Sequence, residues 1–116
     1  MRHRKGNKKL NLPTDQRLAM LKNMVISLFK SGKIQTTHVR AKQAARLAET
    51  LITLGKKGSI HARRQALKVI PHKPTIQELF ATIAPSLKER KGGYTRLTRV
   101  SLRRGDGAVK SLLEIV

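Results

Sequence analysis

The chain has 116 residues, enough for one small domain with a modest hydrophobic core. Its 26 lysine and arginine residues against 6 acidic residues give a net charge of +20, so the folded chain repels itself unless anions neutralise it. This charge favours a nucleic-acid partner, with an anionic membrane surface as the alternative, and the absence of cysteine excludes a disulfide framework and a thiol nucleophile.

The chain begins with a basic segment, MRHRKGNKKL, followed by Asn11 and Pro13. The segment has no helical periodicity, so we expect residues 1–13 to form a tail and residues 14–116 to form one domain. No apolar run of roughly 7–15 residues follows the basic start, so we expect neither a signal peptide nor a membrane span.

The first predicted helix runs from about residue 14 to Ser31. Thr14 is the expected N-cap and Asp15 lies near the positive end of the helix dipole. The apolar residues recur at three- and four-residue steps: Leu18, Leu21, Val25 and Leu28. Gly32 ends the helix, and the β-branched run KIQTT at 33–37 predicts a short strand.

Three further helices are predicted between residues 39 and 86. The second runs from about Val39 to Lys56, is rich in alanine and ends at the segment 55–58, which has a glycine at each end. The third is capped by Ser59 and stops before Pro71. In the fourth, Thr75 and Glu78 form the expected capping box, Leu79, Phe80 and Ile83 form the buried stripe, and Pro85 limits the length.

The C-terminal part of the chain predicts a β-hairpin. Residues 94–102 and 109–116 are rich in strand formers, and RRGDGA at 103–108 predicts the turn between them. Two strands alone are marginally stable, so we expect the hairpin to pair with the strand at 33–37. The predicted fold class is α+β, with four helices and a three-stranded sheet.

Catalytic and metal-binding patterns are weak. The acidic residues are scattered, and the four histidines, His3, His38, His61 and His72, do not have the spacing of metal ligands. We therefore expect no metal, cofactor or small-molecule substrate. The two phenylalanines lie at core positions of helices, so only Tyr94 is a candidate for stacking on a base, and a packing role is an equal alternative.

The cations form three clusters that contain no acidic residue, and these are the candidate RNA-binding residues. The tail cluster is Arg2, His3, Arg4, Lys5, Lys8 and Lys9. The third-helix cluster is Arg63, Arg64 and Lys68. The C-terminal cluster is Arg90, Gly92, Gly93, Tyr94, Arg96, Arg99, Arg103 and Arg104, in which the two glycines give a phosphate access to backbone N–H groups.

A series of short motifs resembles one known family along the whole chain. They are MRHRK at 1–5, KLN at 9–11, G-x-I-x-T-T at 32–37, LITL at 51–54, ARR at 62–64, LF at 79–80, AP at 84–85, R-x-GGYTR at 90–96, RRGDGA at 103–108 and the closing EIV. In order and spacing they resemble the bacterial-type large-subunit ribosomal protein numbered seventeen.

The resemblance implies a non-enzymatic component of the large ribosomal subunit, bound to large-subunit rRNA near the exit of the peptide tunnel. It also implies neighbouring ribosomal proteins as partners, especially the one numbered thirty-two, and no membrane partner. The implied location is the bacterial cytoplasm, with an organellar ribosome as the alternative.

Two other functions fit parts of the pattern. The second and third helices, joined near Gly58, are compatible with a DNA-compacting or helix-turn-helix protein. An RNA-processing enzyme would use His3 or His61 beside the RNA.

Overall fold

A computed structural model describes residues 13–116, so the predicted tail lies outside the described residues except for Pro13. The described part is a layer of helices on one face of an antiparallel sheet, and it confirms the predicted α+β class. Its elements in chain order are α1 (Thr14–Ser31), β1 (Lys33–Thr37), α2 (His38–Lys57), α3 (Ile60–Val69), α4 (Lys73–Glu78), β2 (Thr95–Leu102) and β3 (Val109–Ile115). After α4 the chain continues as a π-helical segment, Leu79–Ile83, and a last α-helical turn, Ala84–Ser86.

The sheet has the strand order β1-β3-β2, so the C-terminal strand lies at its centre and the predicted pairing of hairpin and first strand is confirmed. Leu113 of β3 is fully buried and lies opposite Ile34 on one side and Leu97 on the other. Residues directly opposite one another share a face of the sheet. These three therefore mark the face that packs against α2.

Helix α2 is the centre of the core. Its buried residues follow a three- and four-residue spacing and include Ala44, Ala48, Leu51 and Ile52. The helix ends one residue beyond its predicted end at about Lys56, so Gly55 lies inside it as predicted, and Gly58 ends it with a φ of +68°. A Cβ on Gly55 would lie 2.9 Å from the Cβ of Ala84, so the glycine permits close helix packing.

Two of the three predicted helix caps are wrong. The Ser59 Oγ accepts the N–H of Ala62 at 3.1 Å, which confirms the cap of α3. Thr14 lies inside α1 instead of capping it, and the N-cap position belongs to Pro13. Helix α4 begins two residues before Thr75, because Pro74 fits its first turn, where no intrahelical N–H bond is lost.

A proline, Pro85, follows the π-helical segment after one residue. The N–H of Ala84 donates to the carbonyl of Leu79, five residues back. Pro85 has no N–H to donate, and in an α-helix its ring would clash with the carbonyl four residues back, which the wider π turn avoids. The predicted stripe of this helix holds for Leu79 and Ile83, whereas Phe80 is only half-buried.

Leu18 of α1 is more exposed than the helix pattern predicts. It is 46% exposed and borders a groove of about 270 Å³ between α1 and α2. In β2 a bulge between Arg99 and Ser101 breaks the alternation. Val100, the residue within the bulge, and Leu102 beyond it are exposed.

Candidate nucleic-acid interface

The third-helix cluster lies on the solvent side of α3. Ala62 and Ala66, four residues apart, are buried and fix which side of the helix faces the core. Arg63, Arg64 and Lys68 are therefore exposed, as predicted from the pattern. The guanidinium carbon of Arg63 lies 5.0 Å from the centroid of the Phe80 ring, a cation–π contact that orients this side chain.

The loop between the last helical turn and β2 is held by two side chains of α2. The Lys56 Nζ donates to the backbone carbonyl of Arg90 and to the Tyr94 hydroxyl, which is 3.2 Å away. The Glu49 Oε1 accepts the backbone N–H of Tyr94 at 3.1 Å. Because Glu49 and Lys56 lie about two turns apart on one helix, they fix the loop at both ends.

Tyr94 is 5% exposed, and the Lys56 Nζ lies 4.9 Å from the centroid of its ring. This burial supports the packing role that the sequence left open and leaves little of the ring for stacking on a base. Between the two anchors, Gly92 and Gly93 are exposed, and a Cβ on either would meet no atom within 4 Å. The backbone there is accessible to a ligand as large as a phosphate.

The two arginines of the C-terminal cluster that lie in β2 are on opposite faces of the sheet. Arg96 lies opposite Glu114 on the solvent face, and its Nη1 is 3.6 Å from the Glu114 Oε1. Arg99 lies opposite the fully buried Ser111, on the other face. The two arginines therefore cannot belong to one continuous patch, although they are three residues apart.

The hairpin turn neutralises one of its two arginines. The Arg103 Nε donates to the Asp106 Oδ1 at 3.1 Å, and its Nη2 lies 2.5 Å from the Asp106 Oδ2. The hydrogen bond from Arg103, together with one from the N–H of Ala108, holds the pKa of the Asp106 carboxyl well below its usual range. Among residues 13–116, Arg104 has no such ion pair and is exposed.

The structure also brings cations together that the clusters in the sequence do not contain. Lys33 lies in the same cross-strand row as Glu114 and Arg96, on the solvent face of the sheet. Arg40, in the first turn of α2, and Lys110 of β3 line one cavity. Only the fold reveals these neighbours, since the members of each group are far apart in the chain.

The tail cluster lies outside residues 13–116, so its six members stay predictions. Within residues 13–116, no helix has the length and apolar character needed to cross a membrane. The same part of the chain contains no group of three or more histidine and acidic residues placed to hold a metal ion.

Comparison with known proteins gives a consistent result. Residues 20–116 match the family described as Ribosomal protein L17. The large ribosomal subunit protein bL17 of Clostridium tetani (strain Massachusetts / E88) is 56% identical over 111 residues, which are 96% of this chain and 98% of the relative. The proteins of the same name from Clostridium beijerinckii and Clostridium botulinum (strain Eklund 17B / Type B) are 53% and 55% identical over the same shares. The chain therefore belongs to the ribosomal protein L17 family.

Proposed function

We propose that this protein binds large-subunit rRNA through phosphate neutralisation and supports subunit assembly near the exit of the peptide tunnel. Its family makes it a structural, non-enzymatic constituent of the large ribosomal subunit, and the bacterial relatives indicate the cytoplasmic ribosome. Phosphate neutralisation, assembly and the position at the tunnel exit are the parts that we infer.

The observation that carries the RNA proposal is the excess of cations that the fold leaves without an acidic partner. Within residues 13–116 there are two salt bridges, Arg96 with Glu114 and Arg103 with Asp106. The net charge of +20 already counts every acidic residue, so ion pairs within the chain cannot reduce it. A polyanion that binds many separate cations would neutralise this excess positive charge, and an rRNA backbone is such a polyanion.

The aromatic residues favour contact with phosphates over stacking on bases. Phe29 and Tyr94 are 2% and 5% exposed, and Phe80 is half-buried beneath Arg63. Proteins that recognise unpaired bases present exposed aromatic rings for them. The exposed cations and the open backbone at Gly92 and Gly93 instead suit the sugar–phosphate backbone.

Salt dependence tests this mechanism. Replacing the five lysine and arginine residues of 2–9 with glutamine keeps the length of the chain while removing its tail charge. If each of these five side chains contacts a phosphate, the negative slope of log affinity against log salt becomes shallower by about 3.5–4.5. The matched control has glutamine at five exposed lysines outside the three clusters and outside the Arg40–Lys110 cavity: Lys30, Lys42, Lys57, Lys73 and Lys88. An unchanged slope in the tail variant would show that the tail is not an RNA contact.

Competition separates this proposal from the DNA-binding alternative. The full chain is bound to a large-subunit rRNA transcript and challenged with duplex DNA at equal phosphate concentration. We expect the transcript to be retained, and preferential transfer to the duplex would contradict the proposal.

The protein numbered thirty-two is the proposed protein neighbour. Two exposed apolar side chains, Val100 in the β2 bulge and Leu102 beyond it, support a protein contact at the hairpin. A photo-crosslinker at position 102 in intact large subunits should capture that neighbour, whereas capture of rRNA or other proteins alone would contradict this assignment.

A further inference from the structure

A cavity of about 340 Å³ lies where β1 ends, α2 begins and β3 starts. Its cations come from three elements: Arg40 from the first turn of α2, Lys110 from β3, and Arg103 from the hairpin turn. The remaining lining side chains are the amide of Gln35 and the hydroxyls of Thr36 and Thr37. No acidic residue of the described chain lines this cavity.

The walls of the cavity are fixed by main-chain and side-chain contacts. Thr37 and Lys110 are direct partners in the β1–β3 ladder. The Nδ1 of His38, the first residue of α2, lies 2.7 Å from the Oγ of the fully buried Ser111 of β3. These contacts hold the start of α2 against β3, so Arg40 and Lys110 extend from a preformed scaffold.

The charges in this cavity are not balanced within residues 13–116. Arg103 has Asp106 as its partner, whereas Arg40 and Lys110 have no acidic partner in that part of the chain. The first turn of α2 contains no acidic residue, although a carboxylate is the group that this end of a helix favours. Arg40 and Lys110 are two uncompensated cations at one cavity and repel one another, which costs stability unless an anion binds there.

We propose that this cavity is a preformed site for a phosphate group of the RNA backbone, with Arg40 and Lys110 as its principal ligands. This inference rests on the proposed function and adds to it a site outside the three clusters of the sequence. A guanidinium binds two phosphate oxygens in one plane, and a lysine and the threonine hydroxyls supply further donors to the same group. Phosphate binding would offset the repulsion between the cations.

The test is the variant R40Q/K110Q in the full chain, measured for binding to a large-subunit rRNA transcript over a range of salt concentrations. The matched control is K30Q/K42Q, which removes the same charge from two exposed lysines that do not line the cavity. The negative slope of log affinity against log salt should become shallower by about 1.4–1.8 in the cavity variant, and by less in the control. If the slope of the cavity variant changes no more than that of the control, the proposed site is wrong.

Two further measurements exclude simpler explanations. The thermal midpoint of the free cavity variant should equal or exceed that of the parent, since it loses no partner; a lower midpoint would mean that the two cations are structural. Titration with inorganic phosphate should shift the backbone amide resonances of Arg40 and Lys110 saturably in the parent but not in the variant, with chloride at equal ionic strength as the reference. Shifts that do not saturate would overturn the proposal.

The outcomes distinguish this inference from the function on which it rests. If the parent binds rRNA with a steep salt slope and the cavity variant keeps it, the site is wrong and the proposed function stands. If the parent itself shows no salt-dependent binding, both are wrong. If the variant keeps its rRNA slope but fails to enter large subunits, the cavity takes an acidic side chain of a neighbouring protein, which also overturns the proposal.

Discussion

Substitution of Gly55 by alanine tests how closely α2 packs against the helix that follows α4. The added Cβ would lie 2.9 Å from the Cβ of Ala84 and 3.3 Å from the Cγ of Leu79. Since carbon atoms in contact prefer separations of about 3.5–4.0 Å, the two helices must move apart by roughly 0.6 Å or more. This movement would also shift Lys56, the next residue, which holds the loop before β2.

Two effects of opposite sign determine the result. Alanine is favoured over glycine inside a helix by about 1 kcal/mol. Overpacking a well-filled core costs about 1–3 kcal/mol. We therefore expect G55A to lower the free energy of unfolding by about 1 kcal/mol, which corresponds to about 4–8 °C in the thermal midpoint of a domain near this size. Urea unfolding followed by circular dichroism measures the change.

A double-mutant cycle separates the clash from other causes. The substitution A84G removes the atom that the new Cβ meets, so the double variant G55A/A84G should be more stable than the sum of the single effects by about 1 kcal/mol. The control is G32A, whose cost comes from a φ of +83° and not from a clash, and which A84G should not relieve. An increase in stability on G55A alone would refute the close packing.

Three further predictions concern local contacts. Ser59→Ala should lower the free energy of unfolding by about 1 kcal/mol through loss of the α3 cap, measured by urea unfolding; no change would mean that the cap contributes nothing. Tyr94→Phe should cost about 1 kcal/mol by removing the hydroxyl that Lys56 contacts, and the same substitution in a Lys56→Met background should cost much less. The pKa of the Asp106 carboxyl is depressed in the fold, so its contribution to stability is present above about pH 4 and is lost as the pH falls further. Carboxyl NMR titration should show the low pKa, and Arg103→Gln should raise it; an unchanged pKa in the variant would contradict the role of Arg103.

Local patterns were enough to predict most elements of the fold. The stop at Gly32 and the strand at 33–37 follow from short-range signals that depend on few neighbours. The two wrong caps, Thr14 and Thr75, show the limit of such signals. In each case a proline next to the threonine lies at the start of the helix. Pro13 occupies the N-cap position of α1, and Pro74 lies in the first turn of α4.

Packing and strand register could not be predicted from local patterns. The sequence predicts a helix to about Lys56 that includes Gly55, but only the approach of Ala84 shows why a glycine is needed there. By contrast, the opposite faces of Arg96 and Arg99 follow from the alternation of side chains along a strand, because the register is regular as far as Arg99. The bulge after Arg99 then changes the alternation for the rest of the strand.

The exposure of a basic side chain could be predicted best where one helix carries it. Two buried alanines determine which side of α3 faces solvent, so the third-helix cluster is exposed, and its contacts with RNA stay a prediction. Arg40 and Lys110 were not predicted, because they become neighbours only through the β1–β3 ladder. The anchoring roles of Glu49 and Lys56 likewise depend on a loop more than thirty residues away.

The central claim is that this protein is a constituent of the large ribosomal subunit, held there by contacts with phosphates. Sedimentation of native ribosomes through gradients of increasing salt tests it most directly, with the protein followed by immunoblotting. We expect the protein to sediment with the large subunit at low salt and to be released as salt rises, before the subunit itself comes apart. A protein that stays at the top of the low-salt gradient would contradict the claim.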